Sequence, residues 1–422
     1  MSLGAIIPVG SDAAMAGGSG AIVATTLRGF RGVAALRREG MEPPAASPGA
    51  VAWDNGVVTY SGPAEELPAG LSPDVIEGAT LVPGFVDCHT HLPFFGWRAD
   101  EFEARLAGAS YRDQHGAGGI YRSSRLLREA TDDQVLAFCR PLLREMLEHG
   151  TTALELKTGY GLSVKQELRQ ARLARQLAEE AAQTCTVTLL ACHAVPEGME
   201  RGDWVRLACD ELIPAASAEG LVDAVDVYVE DIAFSLEDLE AVGNAAAAAG
   251  LPLRCHADQL GPSGAAEAAV ALGARSADHL NHVSAEGVAA LAGSETVAVM
   301  LPASTFFLRA VPPAADELVA AGAAVAVASD FNPGTSPVLS MPEVVAMACT
   351  LYAISPAASL TAATANPAEV LGLADRLGTL APGKRADLLV LEGEDVRQVP
   401  YRPGHNPVRR TYIGGELISS TD

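Results

Sequence analysis

Lysine is almost missing from this chain: Lys157, Lys165 and Lys384 are the only three in 422 residues. Arginine brings the basic total to 29, against 52 acidic residues, and the net charge is −23. Such a surface repels phosphate backbones and anionic lipid, which excludes nucleic-acid and membrane-surface roles. A small anionic substrate stays open, provided a local cationic pocket receives it. The seven cysteines include no CxxC and no regular spacing. That excludes a disulfide framework and fits reduced thiols in a cytoplasm. No window approaches the ~18 consecutive apolar residues of a membrane span. No basic residue precedes Arg28, and the apolar runs before it are too short for a signal-peptide core. Residues 1–20, rich in Gly, Ala and Ser, read as a disordered leader.

What is present is apolar: 49% of the residues, with 19% charged, enough for a large core. From about residue 81, short apolar runs alternate with longer amphipathic stretches. The runs are 81–89, 151–157, 186–193, 223–230, 251–256, 274–279, 296–301 and 323–329. Helical patterns fill gaps between them, for example 131–148, 164–183, 235–249 and 284–292. Gly150 and Gly250 stand where helix C-caps belong. Eight such units predict a (β/α)8 TIM barrel over residues 83–381, its continuous apolar strands buried on both faces. Residues 21–82 and 382–422 read instead as one small β-sandwich domain, discontinuous in sequence. The hairpin signal Asp54-Asn55-Gly56 belongs to it.

The chemistry sits at the strand ends. Asp87-Cys88-His89-Thr90-His91 follows the first run directly. Alternation puts His89 and His91 on one face, a ready metal chelate. Alone, this pair reads more readily as a strand-end hydrogen-bond network. It is not alone: His193, His256, His279 and Asp330 end four further runs. Residues ending barrel strands converge at the C-terminal mouth, where barrel active sites lie. Cys88, Cys192 and Cys255, each preceding one of these histidines, turn away and pack. His115, His282 and His405 read as loop or helix residues, and His149 as a charged histidine at a helix C-terminus. Three or four N/O ligands with an open position suit Zn²⁺ or Fe²⁺ and an activated water. Asp330 can ligate and take a proton; His279 can polarise a substrate oxygen. The reaction implied is hydrolysis of a C–N bond.

With these residues in place the chain resembles the amidohydrolase superfamily and, within it, the imidazolonepropionase family. The stretches that carry the resemblance are GFVDCHTH (84–91), RLAGASY (105–111), ELKTGYGL (155–162), HAVP (193–196), HADQLGPSGAAEAA (256–269), GARSADHLNH (273–282) and SDFNPGTSP (329–337). The resemblance implies metal ligands at His89, His91, His256 and Asp330. It implies substrate contacts at Arg98, Tyr111, Tyr160, His193, His279 and Asn332. It also implies a cytoplasmic homodimer that opens 4-imidazolone-5-propanoate to N-formimino-L-glutamate. Arg98 would receive the propionate, because a guanidinium fork binds carboxylate bidentately; its alternative is a surface ion pair with Asp100 or Glu101.

Two departures matter. Relatives commonly carry Glu three residues after the strand-5 histidine, whereas this chain has Gln259, which hydrogen-bonds but cannot act as a base. That keeps a related deaminase or deiminase as the second reading, with a catalytically silent scaffold as the third. Binuclear relatives end strand 4 with a bridging lysine; here that strand ends Val227-Tyr228-Val229-Glu230. One metal is therefore expected, with Glu230 as a bridging ligand the lesser reading. Gly378–Lys384 matches the start of a phosphate-binding loop, but Arg385 follows where Ser or Thr is needed.

Overall fold

The computed structural model describes residues 19–28, 45–46, 48–110 and 118–421. The leader expected over 1–20 therefore lies outside them, apart from Ser19 and Gly20, and Gly20 already opens a strand. Tyr111 and His115 also lie outside the described residues.

The N-terminal strands are β1 (Gly20–Arg28), β2 (Ala45–Ala46), β3 (Gly49–Asp54), β4 (Val57–Pro63) and β5 (Asp74–Pro83). Eight barrel strands follow: β6 (Phe85–Asp87), β7 (Thr151–Lys157), β8 (Thr184–Cys192), β9 (Ala224–Tyr228), β10 (Leu253–Ala257), β11 (Ser276–His279), β12 (Val297–Met300) and β13 (Val325–Val327). The C-terminal strands are β14 (Leu388–Glu392), β15 (Val408–Ile413) and β16 (Glu416–Ser420).

Strands β6 to β13 pair in sequence order, all parallel. The ring closes beyond the short β6 and β13, where Thr90 bridges Phe331 and the His91 N–H donates to Phe331 O at 2.9 Å. Each of the eight runs became a strand. The helices Asp132–Glu148, Val164–Glu180, Leu236–Ala248 and Ala285–Ala292 fill the predicted gaps. Their starts have local causes. Thr131 and Gln134 form a reciprocal capping box, and Ser235 and Asp238 another. Gly150 takes φ 88° after its helix, as expected of a C-cap. A Cβ there would also press to within 2.8–3.1 Å of Leu389, Phe85 and Val408, so the same glycine lets the barrel meet the second sheet.

The chain ends build one sheet in the order β16-β15-β14-β5-β1-β3-β4. The Asn55-Gly56 turn, with φ 48° and 76°, closes the expected hairpin. The sandwich arises by folding this continuous sheet on itself. Trp53 on β3 and Tyr412 on β15 are four strands apart, about 19 Å in a flat sheet. Their ring centroids are nonetheless 5.8 Å apart. Val58 N–H also donates to Lys384 O at 2.8 Å, bringing β4 against the segment before β14. Among the described residues, no helix is long and apolar enough to cross a membrane.

Candidate active site

The barrel delivers its polar residues to one end. His89 and His91 follow β6, His193 follows β8, His256 lies in β10, His279 ends β11 and Asp330 follows β13. All are buried. The His256 ring centroid is 4.5 Å from His89, 5.5 Å from His91 and 5.3 Å from His279. Asp330 Oδ1 stands 3.1 Å from His91 Nε2 and 3.6 Å from His89 Nε2. Ligand atoms around a tetrahedral ion with bonds of about 2.0–2.1 Å are about 3.3 Å apart. His89, His91 and His256 present nitrogens within 4.8 Å of one another, and so do the ligand atoms of His89, His279 and Asp330.

The far sides of two imidazoles are anchored. His89 Nδ1 donates to Asp278 Oδ2 at 2.6 Å, and His256 Nδ1 to Asp226 at 3.1 Å. This fixes Nε2 as the inward lone pair. In both residues Nε2 is buried without a hydrogen-bond partner. Burial, with the neighbouring positive charges, holds His89 and His91 well below the usual histidine range and lowers His279 to about 3. Neutral imidazole is the ligating form. Burial raises Asp330, against the pull of His279 and His256. His279 (φ 79°) and Asp330 (φ 52°) both hold left-handed backbone, uncommon outside glycine, and this strain is concentrated at the site. Orphaned ring nitrogens, ligand spacing and N/O donors all fit a divalent metal ion.

Around these atoms is a pocket lined by His91, Arg98, Tyr160, His193, His256, Gln259, His279, Asp330 and Asn332. Every predicted site residue among the described ones is there except His89, which is fully buried; Tyr111 lies outside the described residues. Arg98 is 4% exposed. Of the two pairing alternatives, Asp100 pairs instead with Arg122 at 2.5 Å, whereas Glu101 does form an ion pair with Arg98 Nε at 3.7 Å, in a buried setting. Arg98 Nε and Nη1 are buried without hydrogen-bond partners. Tyr160 stands on a loop shaped by buried Glu167, which accepts from the N–H groups of Gly159 and Leu162, both at 2.9 Å. His193 donates from Nδ1 to Gly159 O at 3.1 Å and stacks on His91, with centroids 5.3 Å apart.

The amidohydrolase family model matches residues 80–418. An imidazolonepropionase of Rhizorhabdus wittichii is 42% identical over 367 residues, covering 85% of this chain and 92% of its own. One of Paracidovorax citrulli is 42% identical over 375 residues, covering 87% and 90%. The chain belongs to the imidazolonepropionase family of amidohydrolases. A 5-methylcytosine deaminase of Klebsiella pneumoniae shares the fold, with TM-score 0.73 at 17% identity over 95% of this chain and 98% of that one.

Three features of this imidazolonepropionase-family site go beyond the sequence expectation. Asn332 spends its amide on the loop: Oδ1 accepts from the N–H groups of Gly334 (2.9 Å) and Thr335 (2.7 Å), and Nδ2 donates to Asp330 O (2.7 Å). Tyr228 and Thr335 line the pocket and were not anticipated. Glu230 is turned from the metal-facing atoms and accepts from the Leu260 N–H at 2.7 Å, which supports the backbone beside Gln259. Outside the site, His149 caps its helix as expected, but burial lowers its pKa, so desolvation outweighs the helix dipole there. Asp87, on the histidine face, accepts from Ser329 N–H (3.0 Å) and Oγ (2.5 Å) and ties β6 to the residues after β13. Cys88, Cys192 and Cys255 join apolar clusters as expected, and all seven cysteines are free.

Proposed function

We propose that this hydrolase opens 4-imidazolone-5-propanoate to N-formimino-L-glutamate. The observation that carries the reading is Arg98, a buried guanidinium whose Nη1 has no hydrogen-bond partner, in the same pocket as the site histidines. A chain of net charge −23 needs such a cation to hold an anionic substrate. The named relatives, 42% identical over most of the chain, support the same reading.

In this reading His89, His91, His256 and Asp330 hold one Zn²⁺ or Fe²⁺ ion. When bound, that ion polarises the ring carbonyl and acidifies water. Asp330 takes the water proton at its carboxylate and delivers it to the ring nitrogen as the C–N bond breaks. Neutral His279 polarises the carbonyl oxygen. Arg98 binds the propionate, with Tyr111, Tyr160 and His193 completing the contacts. Gln259 hydrogen-bonds the ring edge, and Asn332 shapes the loop that carries Thr335. The seven free cysteines support a reducing cytoplasm, and the family reading adds a homodimer, to be checked by light scattering.

The test is an assay with imidazolonepropanoate generated in situ from urocanate, the product being identified by NMR. Ring opening yields formiminoglutamate without ammonia; ammonia release would transfer the chain to the deaminase reading.

A further inference from the structure

The loop between β7 and the helix Val164–Glu180 carries Tyr160 into the pocket, and its backbone is held by two sets of side chains. Glu167, fully buried, accepts from the N–H groups of Gly159 and Leu162, both at 2.9 Å. Gln170, three residues further along the same helix face, accepts from the Tyr160 N–H at 3.0 Å and donates to Pro93 O at 2.8 Å. Arg128 takes the carbonyls instead. Its Nε and Nη2 donate to Gly161 O at 3.0 and 2.6 Å, and Nη2 also to Leu162 O at 2.9 Å.

These contacts fix more than the loop. Leu162 holds φ 48°, a left-handed backbone that a leucine keeps only where its surroundings over-determine it. Gly159, at φ 111°, is pressed against His193: a Cβ there would stand 2.8 Å from His193 Nδ1. That same Nδ1 lies 3.1 Å from Gly159 O. A carbonyl only accepts, so Nδ1 carries the hydrogen, and Nε2 is the acceptor nitrogen of the neutral ring. Glu167 thus holds Gly159 through its N–H, and Gly159 sets the His193 tautomer through its O. One carboxylate acts on two pocket-lining side chains, Tyr160 after β7 and His193 after β8.

We propose that Glu167 and Arg128 are positioning residues: together they set the 159–162 backbone so that Tyr160 and the Nε2 acceptor of His193 meet the substrate in one fixed arrangement. The proposal rests on the substrate contacts of the reading given above. Neither side chain lines the pocket, so neither touches substrate itself. Loosening the loop weakens contacts made equally in the ground and transition states, which raises KM and leaves kcat unchanged. Arg128 is the sharper probe, because it is exposed and replacing an exposed side chain ordinarily changes stability little.

The test compares full-length, Zn²⁺-loaded wild type, Glu167→Gln and Arg128→Met. Glu167→Gln keeps the shape but leaves one acceptor oxygen for two N–H groups. Steady-state kinetics with imidazolonepropanoate is paired with ¹⁵N spectra of histidine-labelled protein at about pH 8, where an ordinary imidazole is neutral. A His193→Gln spectrum assigns the His193 signals. KM should rise about tenfold in Glu167→Gln and about threefold in Arg128→Met, with kcat and metal content at wild-type values. The His193 signals should move from the Nδ1–H pattern towards a mixture of both tautomers in Glu167→Gln, and less far in Arg128→Met. His193 signals unmoved in both variants overturn the proposal. So does KM unchanged in both, because the contacts then serve stability alone. If Glu167→Gln does not fold, Arg128→Met decides on the same two readouts. A wild type that does not turn over imidazolonepropanoate overturns the proposed function instead, and the His193 signals then judge this proposal by themselves.

Discussion

Arg98 lies so close to Gly334 that a Cβ on the glycine would stand 1.7 Å from Arg98 Nη2. The backbone of Gly334 is not left-handed, so what this position needs is a missing side chain, not unusual flexibility. The Arg98 N–H also donates to Pro333 O at 3.1 Å, which ties the arginine to the loop carrying Asn332 and Asp330. The proposed anion receptor and the proposed proton carrier are therefore tied together through one loop.

Gly334→Ala should displace the guanidinium while leaving the metal ligands in place. We expect KM to rise about tenfold, equivalent to ~1.4 kcal/mol, with metal content unchanged. Arg98→Met should cost ~2–4 kcal/mol in kcat/KM, the scale of breaking a buried charge pair. Steady-state kinetics on both variants checks this. Unchanged catalytic efficiency in Arg98→Met would remove Arg98 from the substrate site.

Metal binding should depend on the histidines from both sides of the site. His89→Ala and His256→Ala should each lose most of the metal measured by elemental analysis, together with activity. Full occupancy in both variants would dissolve the proposed ligand set. Asp278→Asn should act more mildly on the metal, lowering its affinity about 10–100-fold, because Asp278 orients His89 through Nδ1 and is not itself among the expected ligands; it should also cost stability by weakening the buried Arg254 pair. Competition with a graded series of chelators measures that difference.

The fold was legible because short unbroken apolar runs such as Val297–Met300 recur eight times between longer amphipathic stretches, the pattern of a parallel sheet buried on both faces. The histidines were legible because each ends such a run. The charge cluster behind them was not. Lys157 and Asp226 are 69 residues apart, and Glu155 and Arg254 are 99 apart; period two places each inside the barrel but names no partner. Asn332 was assigned to substrate from its motif; it does line the pocket, and what the motif did not reveal is that its amide also closes a local turn. Tyr228 carried no signal that separated it from a packing residue, and Arg98 was decided only by its burial. The sandwich was read as a layer of its own, and the folded-over continuous sheet appears only in the strand pairing.

Glu230 should impose a pH dependence on stability. Its pKa is pushed up to about 7 by burial, against the N–H groups of Leu260 and Gln259 that favour the charge, from an ordinary value of 4.5. Between these values the folded state binds more protons than the unfolded chain, so stability falls as pH rises. Its contribution is fully present below about 4.5 and lost once pH passes about 7. Glu230→Gln keeps an acceptor for Leu260 and removes the titration. Melting temperatures from pH 4 to 8 should therefore decline less steeply in the variant than in wild type; parallel profiles would show that Glu230 ionises normally in the fold.

Gln259 decides between the two enzymatic readings. It lines both the metal-facing pocket and a neighbouring cavity of about 640 Å³ bounded by Phe102, Arg105, Phe306 and Phe307 among others. With Asp330 as the proton carrier, Gln259 only has to hold the ring, and its amide offers both a donor and an acceptor for either ring tautomer. Gln259→Leu should then lose most activity, because the ring's polar edge would face an apolar wall. Gln259→Glu should stay active and add a carboxylate limb to the pH profile that wild type lacks. If Gln259 instead marks a different substrate, wild type would turn over imidazolonepropanoate poorly and the Glu variant would restore it by orders of magnitude. Measuring kcat/KM for wild type and both variants across about pH 5–9 separates these outcomes. A silent wild type rescued by Gln259→Glu would overturn the substrate assignment and leave the barrel and its metal-facing histidines untouched.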